Sequence, residues 1–335
     1  MAWDTVKESL LAELAQRIDK RAEVADRQSL HNLSASFYSR FPAQDMRDRS
    51  VENLYGCLYG LLRFMREWSD TDPKIRIFNP EIQNHGWESK YTTLVILCRG
   101  IPFTMASVRG ELNRRNVRIH TIASSNLAVE RDKNGELKGV LHGDNGDHAS
   151  DPGEALLFFE IGRHSNPAEL VELRETLAAI LGEVALVVDD FPAICGRLQQ
   201  AATDISQSAC VAQDYREEAI AFLGWLERNH MTLLGYEYLS VKHSGGNVTI
   251  KEDKKASLGL LRKRKTRGVL DLQFDIEHLP LEQLHGKQLS FSKSRSRSRV
   301  HRLTYPDYVE VKVFDAEGQV VGQHRFIGLY TASVY

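Results

Sequence analysis

Between Tyr91 and Ile122 the hydrophobic period of the chain changes from strand to helix and back. Tyr91–Leu97 is β-branched and apolar with no charge, which predicts a buried strand. Arg99-Gly100-Ile101-Pro102 interrupts it. Ile101, Met105, Val108 and Leu112 then recur at helical spacing, one face of an amphipathic helix. Pro102 is placed where a first-turn proline is tolerated, because its missing N–H would have had no partner. Asn116 follows as a left-handed cap, and Val117–Ile122 resumes a strand. The pattern is a β-α-β unit with a very short first loop and two strands running parallel.

On the amino-terminal side the pattern is helical. Val6–Val24 carries Leu10, Leu14 and Ile18 on one stripe, and Leu30–Phe41 is a second helical region. Ser50 opens a third helix whose Leu54, Leu58, Leu61, Leu62 and Met65 predict burial over much of its surface. Asp70–Pro73 is a polar turn, Lys74–Phe78 a short alternating strand, and Glu81–Lys90 a loop containing Trp87. After Ile122 the strand continues to Glu130. Asp132-Lys133-Asn134-Gly135 is a hairpin turn in which Asn and Gly supply positive φ angles, and Leu137–Leu141 returns. His142–Gly153 reads as a solvated loop, and Ala155–Ile161 as a further buried strand. Asn166-Pro167-Ala168-Glu169 starts a helix with buried Leu170, Leu173, Leu177 and Ile180, and a second helical run covers Val184 to about Ala202.

Thr203–Gln213 is small and polar and is the best domain boundary. Beyond it come a helix from Asp214, a strand at Met231–Val241, a turn at Ser244–Asn247 into Val248–Glu252, and the basic segment Lys254–Arg267 with its apolar island Leu258–Leu261. A strand begins at Leu289–Phe291. Tyr308–Phe314, the turn Asp315–Gly318 and Val320–Tyr330 form a long antiparallel hairpin. The fold class is α+β: a helical segment over residues 1–70, an α/β sandwich over 71–202 with two helices on one face, and a helix plus mostly antiparallel sheet over 203–335. The abrupt end at Tyr335, directly after a strong strand, leads us to expect a longer native polypeptide.

Composition narrows the function classes. With 335 residues, 42% apolar and 26% charged, the chain is of soluble globular type with two or three domains. A net charge of −2 argues against bulk attraction to nucleic acid or anionic membrane. No apolar run approaches the roughly 20 residues of a membrane span. The charged amphipathic start, without apolar core or cleavage site, is not a signal peptide. Cys57, Cys98, Cys195 and Cys210 are scattered without metal spacing and read as reduced thiols of a cytoplasmic protein. Neither common phosphate-cradling loop occurs, nor a G-x-S-x-G elbow or an H-E-x-x-H metal motif, so no catalytic, cofactor-binding or metal residues are assigned.

Two clusters remain. Ser292–Arg302 (SKSRSRSRVHR) alternates serine and arginine, as on an edge strand with one wet and one tight face. Arg295, Arg297, Arg299 and Arg302 are candidates for an anion site or for contacts to a neighbouring domain. Nucleic-acid binding is disfavoured because interleaved aromatics are missing from the run. His301, Tyr305, Asp307 and Tyr308 combine acid–base groups, but no nucleophile or cofactor motif accompanies them, and a hydrogen-bonded turn explains them more simply.

Four stretches carry a family resemblance: IRIFNP, PFTMASVRGELNRRNVRIH, HMTLLGYEYL and the block SRSRVHRLTYPDYVEVKVFDAEGQVVGQHRFIGLYTASVY. In the last, His301-Arg302, Asp307-Tyr308, Lys312, Phe314-Asp315, Gly318, Val321-Gly322, Arg325-Phe326 and Gly328-Leu329 are the most specific. From about Phe37 to Tyr335 the chain closely resembles the amino-terminal part of the large bacterial NAD-specific glutamate dehydrogenases. The resemblance implies ACT-like and related sensor-type domains in front of a dehydrogenase domain on the same polypeptide, in a homo-oligomer. The parent reaction would be oxidative deamination of L-glutamate to 2-oxoglutarate and ammonia with NAD. The substrate lysines and nucleotide glycines would lie outside this chain, which alone would hold no cofactor and be inactive. In an ACT-like domain an amino-acid effector would bind at Arg99, Gly100, Ile101 and Pro102, although the acid usual in that loop is absent here. An ACT domain reads β-α-β-β-α-β, and no strand follows the second helix. Either Lys74–Phe78 supplies it or the sheet is completed differently. A free-standing amino-acid sensor and an RNA-binding module are the alternative functions.

Overall fold

The computed structural model describes residues 2–46, 49–69, 72–144, 153–244, 247–263 and 288–331. The start of the Asp70–Pro73 turn, most of the His142–Gly153 loop, the centre of the Ser244–Asn247 turn, the distal part of the Lys254–Arg267 segment and the Tyr335 end lie outside the described residues. By compactness the chain divides into residues 1–182 and 183–335. That boundary falls inside a helix and not in Thr203–Gln213. Among the described residues no helix is long and apolar enough to cross a membrane.

The first unit begins with helices α1 (Ala2–Arg21), α2 (Val24–Ser39), α3 (Ala43–Met46) and α4 (Val51–Met65). Ser50 caps α4 as expected, its hydroxyl accepting the Asn53 N–H at 3.2 Å. Strand β1 (Lys74–Phe78) leads through the single turn α5 (Ile82–His85) to β2 (Thr92–Arg99). Helix α6 (Thr104–Arg114), β3 (Ile119–Arg131), β4 (Leu137–Asp144), β5 (Glu154–Ile161) and α7 (Pro167–Gln207) follow. Asn116, at φ 55°, ends α6 while the Val117 N–H reaches the Leu112 carbonyl at 2.9 Å.

The sheet order is β1-β2-β5-β3-β4, with every neighbouring pair antiparallel. β2 and β3 therefore run parallel, as expected, but β5 lies between them, making a split β-α-β unit. β1 pairs with β2 from Lys74↔Leu97 to Phe78↔Thr93 and supplies the strand that is missing after the second helix. On one face Val95, Leu97, Leu156 and Phe158 pack with Leu14, Ile18, Leu33, Phe37, Leu58 and Leu61 of α1, α2 and α4. On the other Leu94, Ile96, Leu157 and Phe159 pack with Val108, Leu112, Leu173 and Leu177 of α6 and α7. Both faces are thus covered, where the pattern led us to expect helices on one. Each fully buried Leu or Phe contributes about 1.5–3 kcal/mol.

Helix α7 is continuous through Gly182 and Pro192 where two helical runs were expected. In the second unit α8 (Gln213–Trp225) leads by a turn with Asn229 at φ 65° into β6 (Met231–Ser244). Strands β7 (Asn247–Glu252), β8 (Leu258–Gly259), β9 (Leu289–Lys293), β10 (Asp307–Phe314) and β11 (Val320–Tyr330) complete an antiparallel sheet of order β7-β6-β11-β10-β9, with β8 also on β6. Leu233, Tyr236, Val309, Val311 and Phe326 pack against Ile194, Leu198, Ile205, Ala219 and Leu223 of the helices.

The Asp132–Gly135 turn forms with one difference. Only Gly135 has positive φ, 81°, and Asn134 does not. The Asp132 carboxylate accepts the Asn134 and Glu136 N–H groups at 2.9 and 3.1 Å, fixing a turn followed by a left-handed glycine. Asp315 and Gly318, at φ 80°, repeat the device.

Candidate functional site

A cavity of about 920 Å³ in the first unit lies where β2 and β3 begin and β5 ends. Its lining includes Asp45, Arg49, Glu81, Lys90, Tyr91, His120, Glu160 and Arg163. The α3–α4 joint brings Arg49 over the sheet. Its Nη2 donates to Glu160 at 2.5 Å and its Nε to the Asp45 carbonyl at 2.9 Å. Glu160 has a side chain only 1% exposed and also accepts the Ser89 hydroxyl at 2.9 Å. Burial alone would lower the Arg49 guanidinium, but the Glu160 carboxylate outweighs it and holds the group above its usual value. Behind the pair, burial pushes the Cys57 thiol up to about 12 and Tyr38 well above its usual value, so both stay neutral.

The walls come from the loop between β1 and β2. The Tyr91 ring stacks on His120 at 4.0 Å, and the Lys90 ammonium lies 5.2 Å from the Tyr91 ring centroid. Arg163 donates to the Ser89 carbonyl at 3.1 Å. The loop is held down because α4 has a glycine at position 56: a Cβ there would stand 2.3 Å from the Gly86 carbonyl oxygen. Asn53 fixes Glu88 by accepting its N–H at 3.2 Å and donating to its carbonyl at 3.4 Å.

The expected effector loop is at the other end of the same sheet. β2 separates Thr92 from Arg99 by seven residues, about 23 Å. Arg99, Gly100 and Ile101 are half-buried and Pro102 is exposed. The Gly100 N–H bonds the Gly153 carbonyl at 2.9 Å, and the Ile101 N–H turns back to Arg99 at 2.8 Å. The left-handed residue of the loop is Phe103, at φ 70°, and one local expectation changes. Pro102 lies in the turn before the helix, because Phe103 takes the N-cap position and α6 starts at Thr104. Phe103 has no side-chain cap bond to give that first turn.

The four arginines of the Ser-Arg run lie in the loop between β9 and β10 and do not converge. Arg299 pairs with Glu183, Arg302 donates to the Tyr330 carbonyl at 2.7 Å, and Arg297 lies 5.2 Å from the Tyr305 ring centroid. Arg295 is exposed. Only Ser292 and Lys293 of the run belong to the edge strand β9, and from Ser294 it leaves the sheet. Ser294 and Ser298 turn inward and accept the N–H groups of Ser296 and Val300 at 3.2 and 3.1 Å. The alternation therefore records two successive serine turns with arginines between. The His301–Tyr308 cluster is also dispersed: Asp307 pairs with Lys293 at 2.6 Å, and Tyr308 is buried beneath Arg325, 4.6 Å from its ring centroid.

The cavity residues were not picked out from the sequence. Arg49, Tyr91, His120 and Glu160 are far apart in the chain, and no motif links them. Only the strand ends, correctly located, place three of them near one another.

Residues 33–177 match the family described as glutamate dehydrogenase, ACT1 domain. Over 342 residues, all of this chain, it is 34% identical to an NAD-specific glutamate dehydrogenase of Halomonas elongata. Over 306 residues, 90% of this chain, it is 35% identical to an NAD-specific glutamate dehydrogenase of Pseudomonas aeruginosa. The chain spans 21% and 19% of the lengths of these curated relatives. A solved structure of an RNA-binding light-oxygen-voltage receptor overlays with a TM-score of 0.16 and 9% identity, covering 87% of this chain and 84% of that one. That likeness is too slight to carry an argument.

Proposed function

Since residues 33–177 match the family described as glutamate dehydrogenase, ACT1 domain, and the whole chain is similar to about a fifth of the length of NAD-specific glutamate dehydrogenases, we propose that it is the amino-terminal regulatory and assembly segment of such an enzyme. The observation that carries this reading is the full-length match to only a part of each relative. The parent reaction is then oxidative deamination of L-glutamate to 2-oxoglutarate and ammonia, with NAD accepting the hydride. The catalytic domain is supplied by another part of the polypeptide, in a cytoplasmic homo-oligomer.

Among the described residues, the β2–α6 connection does not fit the dinucleotide. The β2–α6 connection has one glycine, Gly100, followed by Ile101, Pro102 and the left-handed Phe103, where a pyrophosphate needs a glycine-rich turn. No step of the reaction is assigned to this chain. Its part is to bind and to hold. Arg99, Gly100, Ile101 and Pro102 at the start of α6 are one candidate for an amino-acid effector, favoured by the helix dipole and by the fork of Arg99. Arg295, Arg297, Arg299 and Arg302 are candidates for contact with an anion or with another domain.

The test is excision of residues 1–335 from the full-length enzyme. The expected result is a smaller oligomer by light scattering, or loss of amino-acid modulation of the rate, with the remaining polypeptide still able to reduce NAD. An unchanged oligomer with unchanged modulation would refute the reading.

A further inference from the structure

The cavity at the Tyr91 end of the first sheet has a lining that selects a charge pattern. Arg49 is the most buried of its three Arg and Lys residues. Bonds to Glu160 and to the Asp45 carbonyl use two of the five N–H groups of that guanidinium, which leaves donors for a ligand oxygen. Arg163 and Lys90 line the same space. The carboxylate of Glu160 is already engaged by Arg49 and Ser89. Asp45, Glu81 and Glu88, contributed by α3 and by the segment between β1 and β2, add acidic groups to the lining, and Glu81 also accepts the Asn84 amide at 2.9 Å. A ligand carrying only negative charge would meet Asp45, Glu81 and Glu88. One carrying only positive charge would meet Arg49, Arg163 and Lys90. A molecule with both charges is matched by a lining of both signs.

We propose that this cavity binds a small zwitterion, its carboxylate on Arg49 and Arg163 and its protonated amine on Asp45 and Glu81. A volume of about 920 Å³ is within the range of small-molecule sites and admits anything from a free amino acid to a short peptide. The site is distinct from the Arg99 loop at the opposite end of the sheet. Arg49 belongs to the α3–α4 joint and Glu160 to the end of β5, so a bound carboxylate would reinforce the tie between the helical layer and the sheet of this unit. This deepens the regulatory reading and rests on it only for the consequence of binding, because binding itself is a property of this chain.

The test is calorimetry of the purified chain with L-glutamine and glycylglycine as zwitterions, succinate as an anion without an amine and putrescine as a cation without a carboxylate. The expected result is heat from a zwitterion at millimolar concentration and much less from succinate or putrescine. Arg163→Ala and Asp45→Asn, both away from the apolar core, should each weaken zwitterion binding about tenfold. Arg99→Ala should leave it unchanged. Absence of binding by either zwitterion, succinate or putrescine binding as tightly, or loss on Arg99→Ala with none on Arg163→Ala and Asp45→Asn, would overturn the proposal. If binding follows the expected pattern while the full-length enzyme ignores the ligand, the site stands and the regulatory reading fails.

Discussion

In the first sheet β2 and β5 are buried from Thr92 to Cys98 and from Glu154 to Ile161, with apolar residues filling nearly all the positions between their ends. In the second, β6 and β11 bury Glu237, Gln323, His324 and Arg325 among their apolar residues. Arg325 faces Glu237 across one strand pair and Glu310 across the other, bonding them at 2.8 and 2.9 Å. Helices on both faces allow the first sheet to be apolar on both, but a continuous apolar run says little about register. There, register is clamped at the strand ends. Thr92 donates to Asn79 at 2.7 Å and accepts the His164 N–H at 2.8 Å, and Arg131 grips Glu154 with two bonds of 2.5 and 2.8 Å. In the second sheet the charge triad marks register from within, since a one-residue slip would send Arg325 to the opposite face. Burial is achieved in both, and specificity is written in different places.

The sharpest way to separate the two sheets is to remove one central side chain from each. Arg325→Leu leaves Glu237 and Glu310 without their shared cation and should cost about 3–5 kcal/mol in urea unfolding. Replacing Glu237, Arg325 and Glu310 together with apolar residues of similar size should recover most of that loss. Phe158→Ala in the first sheet should cost a similar amount, about 3–5 kcal/mol, through the cavity it leaves. No polar partner is stranded there, so no second substitution at a charged site should restore it. A triple variant as unstable as Arg325→Leu alone would show that the triad does more than pair charges.

A smaller effect compares two glycines of α4. Gly56→Ala drives a Cβ against the Gly86 carbonyl and should cost about 1–3 kcal/mol, displacing the loop that walls the cavity. Gly60→Ala meets only Trp87 Nε1 at 3.6 Å, an ordinary contact, and should stabilise the helix by up to about 1 kcal/mol. Denaturation midpoints of the two variants moving in the same direction would contradict this account of the loop.

The smallest effect concerns pH. His324 is buried and bonded to Asp204 at 2.8 Å and to the Tyr236 hydroxyl at 2.9 Å. Burial lowers its imidazole, and the Asp204 bond offsets only part of that, so the folded value lies below the usual one. Below about pH 6.5 the unfolded chain takes up a proton that the folded state resists. This part of the stability is therefore complete above that pH and declines as pH falls toward the folded value. His324→Gln should flatten the fall between neutral and mildly acidic pH. An unchanged profile would assign the fall to other groups.

Much of the fold was legible because its signals are local. Asn116, Ser50, Asn166 and the two Asp-x-x-Gly turns end or join elements through short-range backbone chemistry, and each is found where its residues indicate. The parts that were not legible depend on distant partners. The sequence offers Lys74–Phe78 as one of two ways to complete the sheet, and only its pairing with β2 decides between them. The helices of residues 2–65 show apolar stripes but not the sheet face that those stripes cover. The Ser-Arg run leaves its edge strand after Lys293, which the sequence does not reveal because serine turns and an edge strand share an alternating pattern. The cavity joins Arg49 to Glu160 across 111 residues of sequence, and its aromatic wall pairs Tyr91 with His120. No spacing rule links such positions.

The most direct test is glutamate-dependent NAD reduction, followed by absorbance, for the purified 335-residue chain beside the full-length enzyme. NADH formation is expected from the full-length enzyme and none from the chain alone, whose short β2–α6 connection is not built for a dinucleotide. Steady NADH production by the isolated chain, free of host enzyme, would contradict it.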